Sequence, residues 1–482
     1  MKRIRVITLG CSKNTVDTEH LLTQLGDGFE VVAPEDSSSK VDYLLLNTCG
    51  FIGDAKEESI AAILEAAELK ACGLVGRLIV FGCLSERYAD SLPSEIPEVD
   101  AWFGARDLNP IVEYLGCKPD RSLYVRRVPT GCGPATAYLK ISEGCDRRCS
   151  YCAIPFIRGA HRSVPIETLV EEATLLAARG VKELILIAQD TTFYGLDLYH
   201  RRALAELLRA LAAVPGIEWM RIHYSYPASF PQDVLDEMAS NPKVCKYLDI
   251  PLQHIADKVL DNMHRQVDGA WTRELIAKLR AEVPGVVLRT TMIVGHPGEG
   301  ESEFAELLDF VREARFERLG AFTYSEEEGT WGAAHLADDV PQDEKDKRLD
   351  ALMKLQGEVS LAFNSSRVGS VERVLVDCVD EDDPRVLHCR SQYESPDVDG
   401  LIYVRVPEDA AAGAGAADGS ACSSQSPCPD GASGPCPAQS LYTDVATGLC
   451  PARTLCPEAL VGTFIDVRIT DADLYDLSAE LI

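Results

Sequence analysis

Residues 141–152 read ISEGCDRRCSYC, and their three cysteines decide most of what the sequence predicts. Cys145, Cys149 and Cys152 follow the spacing CxxxCxxC, which brings three thiolates together in one loop. Thiolates are the ligands that iron–sulfur clusters take from proteins. A 4Fe–4S cube held by three cysteines leaves one iron without a protein ligand. That iron is open to a substrate or cofactor, which a four-cysteine electron carrier does not allow.

A zinc site or a disulfide loop could also use cysteines at this spacing. Zinc would need a fourth ligand nearby. His161 is the nearest histidine, but it follows a proline-bearing stretch, and no CxxC pair lies at a zinc-finger distance. A disulfide would need an oxidising compartment. An iron–sulfur cluster is therefore the favoured interpretation.

The composition is that of a large globular protein. A chain of 482 residues predicts two or three domains. No apolar run reaches the length of a membrane span, and the first residues, MKRIRVITLGCSKN, predict a β-strand and not a signal peptide. We therefore expect the seventeen cysteines in a reducing cytoplasm, where metal ligation explains them better than disulfides.

The net charge of −29 bears on the choice of partners. Broad, salt-driven binding of nucleic acid needs Lys and Arg facing phosphates, so this charge argues against it. It favours a basic partner, or none. Neither DNA nor a membrane is expected as a partner.

Residues 1–125 alternate short apolar runs with helical patterns. RIRVITLG, KVDYLLLNT and GRLIVFG are rich in aliphatic residues, as buried parallel strands are. DTEHLLTQL and AKEESIAAILEAAELKA between them have helical periodicity. This βαβ pattern predicts a small doubly wound parallel sheet.

Three cysteines in this region share one position in the pattern. Cys11, Cys49 and Cys83 each lie just past the C-terminal end of a predicted strand, with a glycine beside them. In parallel sheets those ends share one edge, where ligands bind. Each cysteine alone would be an ordinary buried residue, but the repeated placement predicts a second three-cysteine site. Cys72 and Cys117 lack this placement and are interpreted as structural.

Residues 132–360 contain the triplet and then repeat strand–helix units. The strand candidates include ELILIAQD, WMRIHYSY, YLDIPLQH, VVLRTTMIVGHPGE and RLGAFTYS. Such units predict a full or partial (β/α) barrel, whose chemistry gathers at the C-terminal ends of its strands. Polar residues cluster at those ends, where each alone would be a strand cap or loop residue: Gln189, Asp190, His223, Tyr224, Gln253, His254 and residues 295–299.

Residues 365–482 have a β pattern with turn signals, which predicts a small antiparallel barrel. A low-complexity insertion at about residues 409–457 interrupts it and is expected to be disordered. The insertion contains five cysteines whose spacing fits no known metal motif, so no metal site is predicted there.

These segments together resemble the methylthiotransferase family of radical S-adenosylmethionine enzymes over nearly the whole chain, apart from the insertion. The matching stretches are GCSKN (10–14), NTCGFI (47–52), GCLSERY (82–88), ISEGCDRRCSYCAIPFIRG (141–159), YLDIPLQH (247–254), IVGHPGE (293–299) and YDLSAE (475–480). The triplet alone marks a very large superfamily. Its combination with three upstream cysteines is much more specific.

The resemblance implies a flavodoxin-like N-terminal domain (1–125), a radical S-adenosylmethionine domain (132–360) and a TRAM-like β-barrel (365–482). It implies two 4Fe–4S clusters, an auxiliary one and a radical one. The auxiliary ligands would be Cys11, Cys49 and Cys83, and the radical-cluster ligands Cys145, Cys149 and Cys152. Gly295, Pro297, Gly298 and Glu299 match a turn that shapes the S-adenosylmethionine pocket. His296 and Gly300 depart from the commoner residues of that turn, so only its backbone role is carried over.

The implied reaction uses S-adenosylmethionine twice, as methyl donor to sulfur at the auxiliary cluster and as source of a deoxyadenosyl radical. The radical removes hydrogen from an unactivated carbon, which then receives the methylthio group. A reductant such as flavodoxin or ferredoxin would supply the electron. A non-catalytic iron–sulfur electron carrier is the alternative from another class, but it would be expected to have four-cysteine sites.

Two substrate classes are known in the family, an adenosine of transfer RNA and an aspartate of the small-subunit ribosomal protein S-twelve. GCSKN and the PDVDG turn at residues 396–400 resemble the protein branch. From residue 365 to the end there are seven Arg and no Lys against twenty Asp and Glu, a net charge of −13. A barrel that reads RNA should be basic, whereas an acidic one suits a basic ribosomal protein. We therefore expect methylthiolation of the β-carbon of the S-twelve aspartate, with transfer RNA as the alternative.

Overall fold

The computed structural model describes residues 1–407 and 457–482, which form two compact units, Met1–Ser360 and Leu361–Ile482. The insertion predicted at about residues 409–457 lies almost entirely outside the described residues. Within the described part of the chain, no helix is long and apolar enough to cross a membrane.

The first unit begins with a five-stranded parallel sheet in the order β2-β1-β3-β4-β5. This is the strand order of flavodoxin-like folds, as the sequence predicted. The strands are β1 (Lys2–Thr8), β2 (Phe29–Val32), β3 (Val41–Thr48), β4 (Val75–Gly82) and β5 (Ala101–Trp102). The helices are α1 (Ser12–Leu25), α2 (Gly53–Ala71), α3 (Cys83–Arg87), α4 (Leu92–Glu95) and α5 (Asn109–Tyr114).

The continuous apolar runs of this sheet arise because both of its faces are covered. In β3, Leu44 and Leu46 pack into one apolar cluster with Ile63 of α2, whereas Leu45 packs into a second cluster with Leu21 of α1. A strand buried on both faces has no polar face to expose. Complete burial of each leucine contributes about 1.5–3 kcal/mol.

The same unit continues with a six-stranded parallel sheet in the order β13-β12-β11-β10-β9-β6. Its strands are β6 (Thr136–Lys140), β9 (Glu183–Ile187), β10 (Trp219–Ile222), β11 (Val244–Asp249), β12 (Val287–Val294) and β13 (Arg318–Thr323). This sheet is open, with β6 and β13 at its edges, so the barrel is partial. A hairpin of β7 (Ser142–Glu143) and β8 (Arg162–Ser163) follows β6.

The helices of this region follow the strands in βα alternation. They are α6 (Ile154–Arg158), α7 (Ile166–Ala178), α8 (Leu196–Tyr199), α9 (Leu204–Ala212), α10 (Gln232–Ser240), α11 (Asp257–Asn262), α12 (Gly269–Glu282), α13 (Glu301–Ala314), α14 (Trp331–His335) and α15 (Gln342–Ser366).

A buried ion triad joins the two sheets of the first unit. Arg127 is fully buried in the segment that links them, and its guanidinium pairs with Glu19 of α1 and with Glu172 of α7, the latter 2.6 Å away. Removal of one member of such a buried set costs about 3–5 kcal/mol, because the remaining charge has no compensation. The triad therefore fixes α1 against the second sheet.

The second unit is a closed five-stranded barrel in the order β14-β15-β16-β18-β17. Its elements are β14 (Val371–Val379), β15 (Val386–Arg390), β16 (Ile402–Arg405), α16 (Pro457–Leu460), β17 (Phe464–Ala472) and β18 (Leu477–Leu481). The barrel was predicted, but one of its pairs, β16–β18, is parallel and not antiparallel. Strand direction cannot alternate all the way around a ring with an odd number of strands, so one pair must be parallel.

Candidate active site

The three upstream cysteines lie together at one edge of the first sheet. Cys11 is the residue before α1, Cys49 follows β3 directly, and Cys83 begins α3 directly after β4. Burial chiefly raises the pKa of Cys83, to about 12, and the neighbouring Cys11 and Cys49 thiols raise it further. Burial likewise raises the pKa of Cys49, with a smaller increase from Cys11. The three thiols are therefore close enough to interact electrostatically.

Two glycines allow this convergence. A Cβ on Gly10 would lie 2.8 Å from the Cβ of Cys49, so any side chain at residue 10 would push that cysteine away. Gly82 has a φ of +107°, and a Cβ there would lie 2.5 Å from Asn47 Oδ1. Only glycine combines this backbone angle with such close contact.

The second triplet occupies a loop that the β7–β8 hairpin closes at its base. Cys145 N–H donates to the carbonyl of Gly159, 3.0 Å away, and Cys152 N–H donates to the carbonyl of Cys149, 3.1 Å away. Burial chiefly raises the pKa of Cys145 to about 12, and the nearby Cys149 thiol adds to the increase. Burial and Cys149 also raise the pKa of Cys152. The three thiols of this loop therefore interact with one another, and their role as cluster ligands stays a prediction.

The residues present fit iron–sulfur clusters better than single metal ions. Each set supplies three thiols and no carboxylate, which is the donor chemistry that iron–sulfur clusters use. Among residues 1–407 and 457–482, no group of three or more His, Cys, Asp or Glu converges closely enough to hold one ion. A cube takes its thiolates at separate irons, so its ligands stand farther apart. His161, the histidine nearest to the triplet in sequence, instead forms a hydrogen bond with Ser163 Oγ at 3.0 Å, and burial lowers its pKa.

A buried guanidinium links the two cysteine sets. Arg158 of α6 is only 4% exposed, and its Nε lies 3.2 Å from the Sγ of Cys83. Its other nitrogens donate to Asp17 Oδ2 at 2.6 Å and to Asn14 Oδ1 at 2.5 Å, and one lies 3.3 Å from Glu143 Oε2. Glu143 stands two residues before the first cysteine of the triplet. Arg158 therefore contacts one cysteine set directly and the base of the other loop.

Lys140 completes this network. It pairs with Asp17 and with Glu143 Oε2, the latter at 2.8 Å. Burial alone would raise the pKa of Glu143, but Lys140 and Arg158 together lower it to about 2. The carboxylate is therefore ionised across the physiological range, and the network keeps its charges.

A second arginine lies beside the triplet. Arg265 is 3% exposed, and its Nη1 lies 3.5 Å from Cys149 Sγ. Its guanidinium stands 4.3 Å from the centre of the Tyr226 ring, which also contacts the guanidinium of Arg147 at 3.9 Å. The sequence pattern did not point to Arg158 or Arg265, because their contacts join residues 75 and 116 positions apart.

The turn at residues 295–299 is stabilised by contacts of Glu299 with other residues of the first unit. Glu299 Oε2 accepts from the Gly295 N–H at 3.0 Å and lies 3.2 Å from His254 Nε2, and Glu299 Oε1 accepts from Arg348 at 2.8 Å. The His296 ring meets Tyr151 of the triplet loop edge to face, with centroids 6.3 Å apart. The turn therefore contacts the triplet loop, and its part in a cofactor pocket stays a prediction.

Two of the polar residues at the strand ends brace the triplet loop, and others bond elsewhere. Asp190 pairs with Arg147 at 2.9 Å, and Gln189 donates to Glu143 Oε1 at 2.7 Å. Asp249, which ends β11, pairs with Arg289 at 2.9 Å and accepts from the Tyr224 N–H at 3.0 Å.

Three family models match the chain. The radical SAM superfamily covers residues 139–311, the uncharacterized protein family UPF0004 covers 3–104, and the TRAM domain covers 368–419. The radical S-adenosylmethionine methyltransferase TsrM from Kitasatospora setae, solved with cobalamin and a 4Fe–4S cluster, has a TM-score of 0.52. It is 14% identical, over 67% of this chain and 72% of that chain, so this likeness supports the fold alone.

Curated relatives are much more similar in sequence. A protein of Porphyromonas gingivalis is 51% identical over 83% of this chain and 92% of its own length. One of Bacteroides thetaiotaomicron is 47% identical over 100% of this chain and 98% of its own length. Both carry the name ribosomal protein uS12 methylthiotransferase RimO.

The fold and these matches define a radical S-adenosylmethionine enzyme. The chain belongs to the uS12 methylthiotransferase family, which confirms the resemblance seen in its motifs.

Proposed function

We propose that this chain methylthiolates the β-carbon of an aspartate in ribosomal protein uS12, with S-adenosylmethionine as methyl donor and radical source. The observation that carries the proposal is the pair of three-cysteine sets in one compact unit, joined through Arg158. An electron carrier needs no such pair. A reaction that combines a radical with a transferred sulfur group needs two sites held close together in a fixed arrangement.

Cys145, Cys149 and Cys152 would hold one 4Fe–4S cluster, and Cys11, Cys49 and Cys83 a second. When bound, these clusters and S-adenosylmethionine supply the electron, the radical and the methylated sulfur. The protein supplies binding, orientation and electrostatics. The turn at residues 295–299 would bind S-adenosylmethionine beside the triplet loop that it contacts through His296.

The side chains around the two sets hold them in place. Cys49, Cys83 and Arg158 are buried, whereas Cys11 is exposed. Arg158 and Lys140 neutralise Asp17 and Glu143 between the two sets. This arrangement prevents one loop from shifting against the other.

Two features support uS12 as the substrate. The relatives that match most of this chain carry that substrate in their name. The second is the acidic character of residues 365–482, which suits a basic ribosomal protein. A flavodoxin or ferredoxin would supply the electron.

The test is an anaerobic reaction of the reconstituted protein with uS12, S-adenosylmethionine and a reductant. We expect a mass increase of one methylthio group on one aspartate of uS12, and no methylthioadenosine in transfer RNA treated in parallel. Modification of the transfer RNA in place of uS12 would overturn the choice of substrate.

Two variants separate the roles of the cysteine sets. Cys145→Ala should form no 5′-deoxyadenosine, because the radical cluster loses a ligand. Cys49→Ala should still cleave S-adenosylmethionine but transfer no sulfur. Formation of the methylthio product by the Cys49→Ala protein would contradict the auxiliary assignment.

A further inference from the structure

Lys13 is a largely buried lysine close in sequence to Cys11. It lies in the first turn of α1, two residues after Cys11, and is 7% exposed. Its Nζ stands 2.9 Å from the centre of the Tyr224 ring. Tyr224 belongs to the second sheet, where it follows the end of β10 with a φ of +57°. The two residues thus meet where the edges of the two sheets face each other.

This cation has no anionic partner among residues 1–407 and 457–482: no ion pair or hydrogen bond joins its Nζ to them. The nearby carboxylates are engaged elsewhere. Asp17 binds Lys140 and Arg158, and Asp249 binds Arg289 and the Tyr224 N–H. A buried lysine is ordinarily paired, because loss of its hydration is costly. A ring face offsets only part of that cost.

The backbone around Tyr224 connects this position to the triplet loop. The Tyr224 carbonyl accepts from the Thr191 N–H at 3.1 Å, and the adjacent Asp190 pairs with Arg147 between Cys145 and Cys149. Lys13 is tied to Cys11 by sequence, and Tyr224 is tied to the triplet loop by this chain of contacts. A chain of contacts therefore connects Lys13 to both cysteine sets.

We propose that Lys13, supported on the Tyr224 ring, binds the carboxylate of the substrate aspartate, an inference that rests on the proposed function. The β-carbon is bonded directly to the carboxylate carbon. An ammonium that binds the carboxylate therefore fixes the β-carbon between the site that carries sulfur and the site that generates the radical. A carboxylate also supplies the anion that the buried lysine lacks. An adenine base offers no such charge, so the same residue selects an aspartate side chain over a nucleobase.

The experiment measures binding without chemistry. Reconstituted protein with S-adenosylmethionine and no reductant is titrated with uS12 and with uS12 whose target aspartate is replaced by asparagine. The asparagine has nearly the same shape but no charge. We expect the native protein to bind the aspartate form roughly tenfold or more tightly, as for a buried charge pair. Lys13→Met should abolish that preference, and Lys13→Arg should retain most of it.

Lys118→Met is the matched control, because Lys118 is exposed. It should keep the native preference, and iron content and thermal midpoint should show that each variant is folded and loaded. A Lys13→Met protein that still prefers aspartate would overturn the inference. Equal weakening of binding to both forms of uS12 would mean that Lys13 has a structural role or binds an anionic sulfur species. That result would also overturn the inference. If native protein fails to modify uS12 in the reductant-containing reaction, the proposed function itself fails.

Discussion

At the residue scale, Arg158 is the least expected feature of the site. A guanidinium that donates to a ligand sulfur stabilises the more negative, reduced state of a cluster, and such hydrogen bonds help to set its potential. Arg158 is held at three other points, by Asp17, Asn14 and Glu143, so it cannot turn away from Cys83. We infer that it tunes the auxiliary cluster as well as joining the two loops.

We predict that Arg158→Met lowers the reduction potential of the auxiliary cluster, on the order of tens of millivolts. The measurement is a redox titration followed by electron paramagnetic resonance. It is made in protein whose Cys145, Cys149 and Cys152 are all replaced by alanine, so that only one cluster contributes.

Arg158→Lys is the control for this prediction, because it keeps the charge that balances Asp17 but loses the planar set of donors. It should fold like the native protein and show a smaller shift of potential. An unchanged potential in a folded Arg158→Met protein would show that the contact with Cys83 is structural only.

The sequence identified the cysteines but not the side chains that surround them. Cys145, Cys149 and Cys152 are visible as a spacing within one loop, and Cys11, Cys49 and Cys83 as a repeated position after strands. Arg158, Arg265 and Lys13 act through contacts between distant parts of the chain, which leave no local pattern. The FIRG stretch after the triplet belongs to a matching motif, but nothing in its letters indicates that its arginine reaches Cys83.

At the element scale, the junction of β4 and α3 determines where Cys83 stands. Gly82 has a φ of +107°, and a Cβ added there would lie 2.5 Å from Asn47 Oδ1 and 2.6 Å from the Thr48 carbonyl oxygen. The strand cannot turn into the helix at this point with a side chain present. The position of Cys83, a proposed cluster ligand, therefore depends on a residue that has no side chain.

We predict that Gly82→Ala destabilises the protein by roughly 3 kcal/mol or more, through backbone strain together with overpacking. It should also lose the iron of the auxiliary site while the triplet keeps its own. Thermal unfolding and iron analysis of the reconstituted protein measure the two effects.

Gly73→Ala is the matched control for backbone strain. Gly73 also has a positive φ, of +78°, but an added Cβ there meets no atom within 4 Å. This substitution should lower the free energy of unfolding by about 1 kcal/mol and leave the iron content unchanged. Equal behaviour of the two variants would mean that the contacts around Gly82 do not position Cys83.

The elements that follow strong periodic patterns were predictable, and the short ones were not. Runs such as KVDYLLLNT become buried parallel strands because both of their faces are covered. The β7–β8 hairpin has two residues in each strand, too few for any period to show. The parallel pair β16–β18 depends on barrel closure with five strands, which no single strand encodes.

At the scale of the whole molecule, charge is the feature that bears most on the substrate. The C-terminal barrel has acidic side chains exposed between its buried apolar rows, among them Glu381, Asp382 and Asp466. Exposed charges contribute little to the stability of a fold, but they steer an oppositely charged partner and determine how binding depends on salt.

We predict that reversal of Glu381, Asp382 and Asp466 to lysine slows modification of uS12, several-fold at low ionic strength, by weakening its association. The effect should shrink as salt rises, because exposed charges are screened beyond about 10 Å at 0.1 M. The measurement is the rate of methylthio transfer against salt concentration, with cleavage of S-adenosylmethionine in the absence of uS12 as the reference.

Charge reversal of Glu57, Glu65 and Glu68 on α2 is the control, because these exposed residues make the same change in net charge on the other compact unit. It should slow modification less than the barrel variant does, since steering depends on where the charge lies. If both variants slow the reaction equally, only the overall charge of the protein matters. If the barrel variant accelerates modification of transfer RNA, the barrel serves the nucleic-acid substrate, because added lysines favour contact with phosphates.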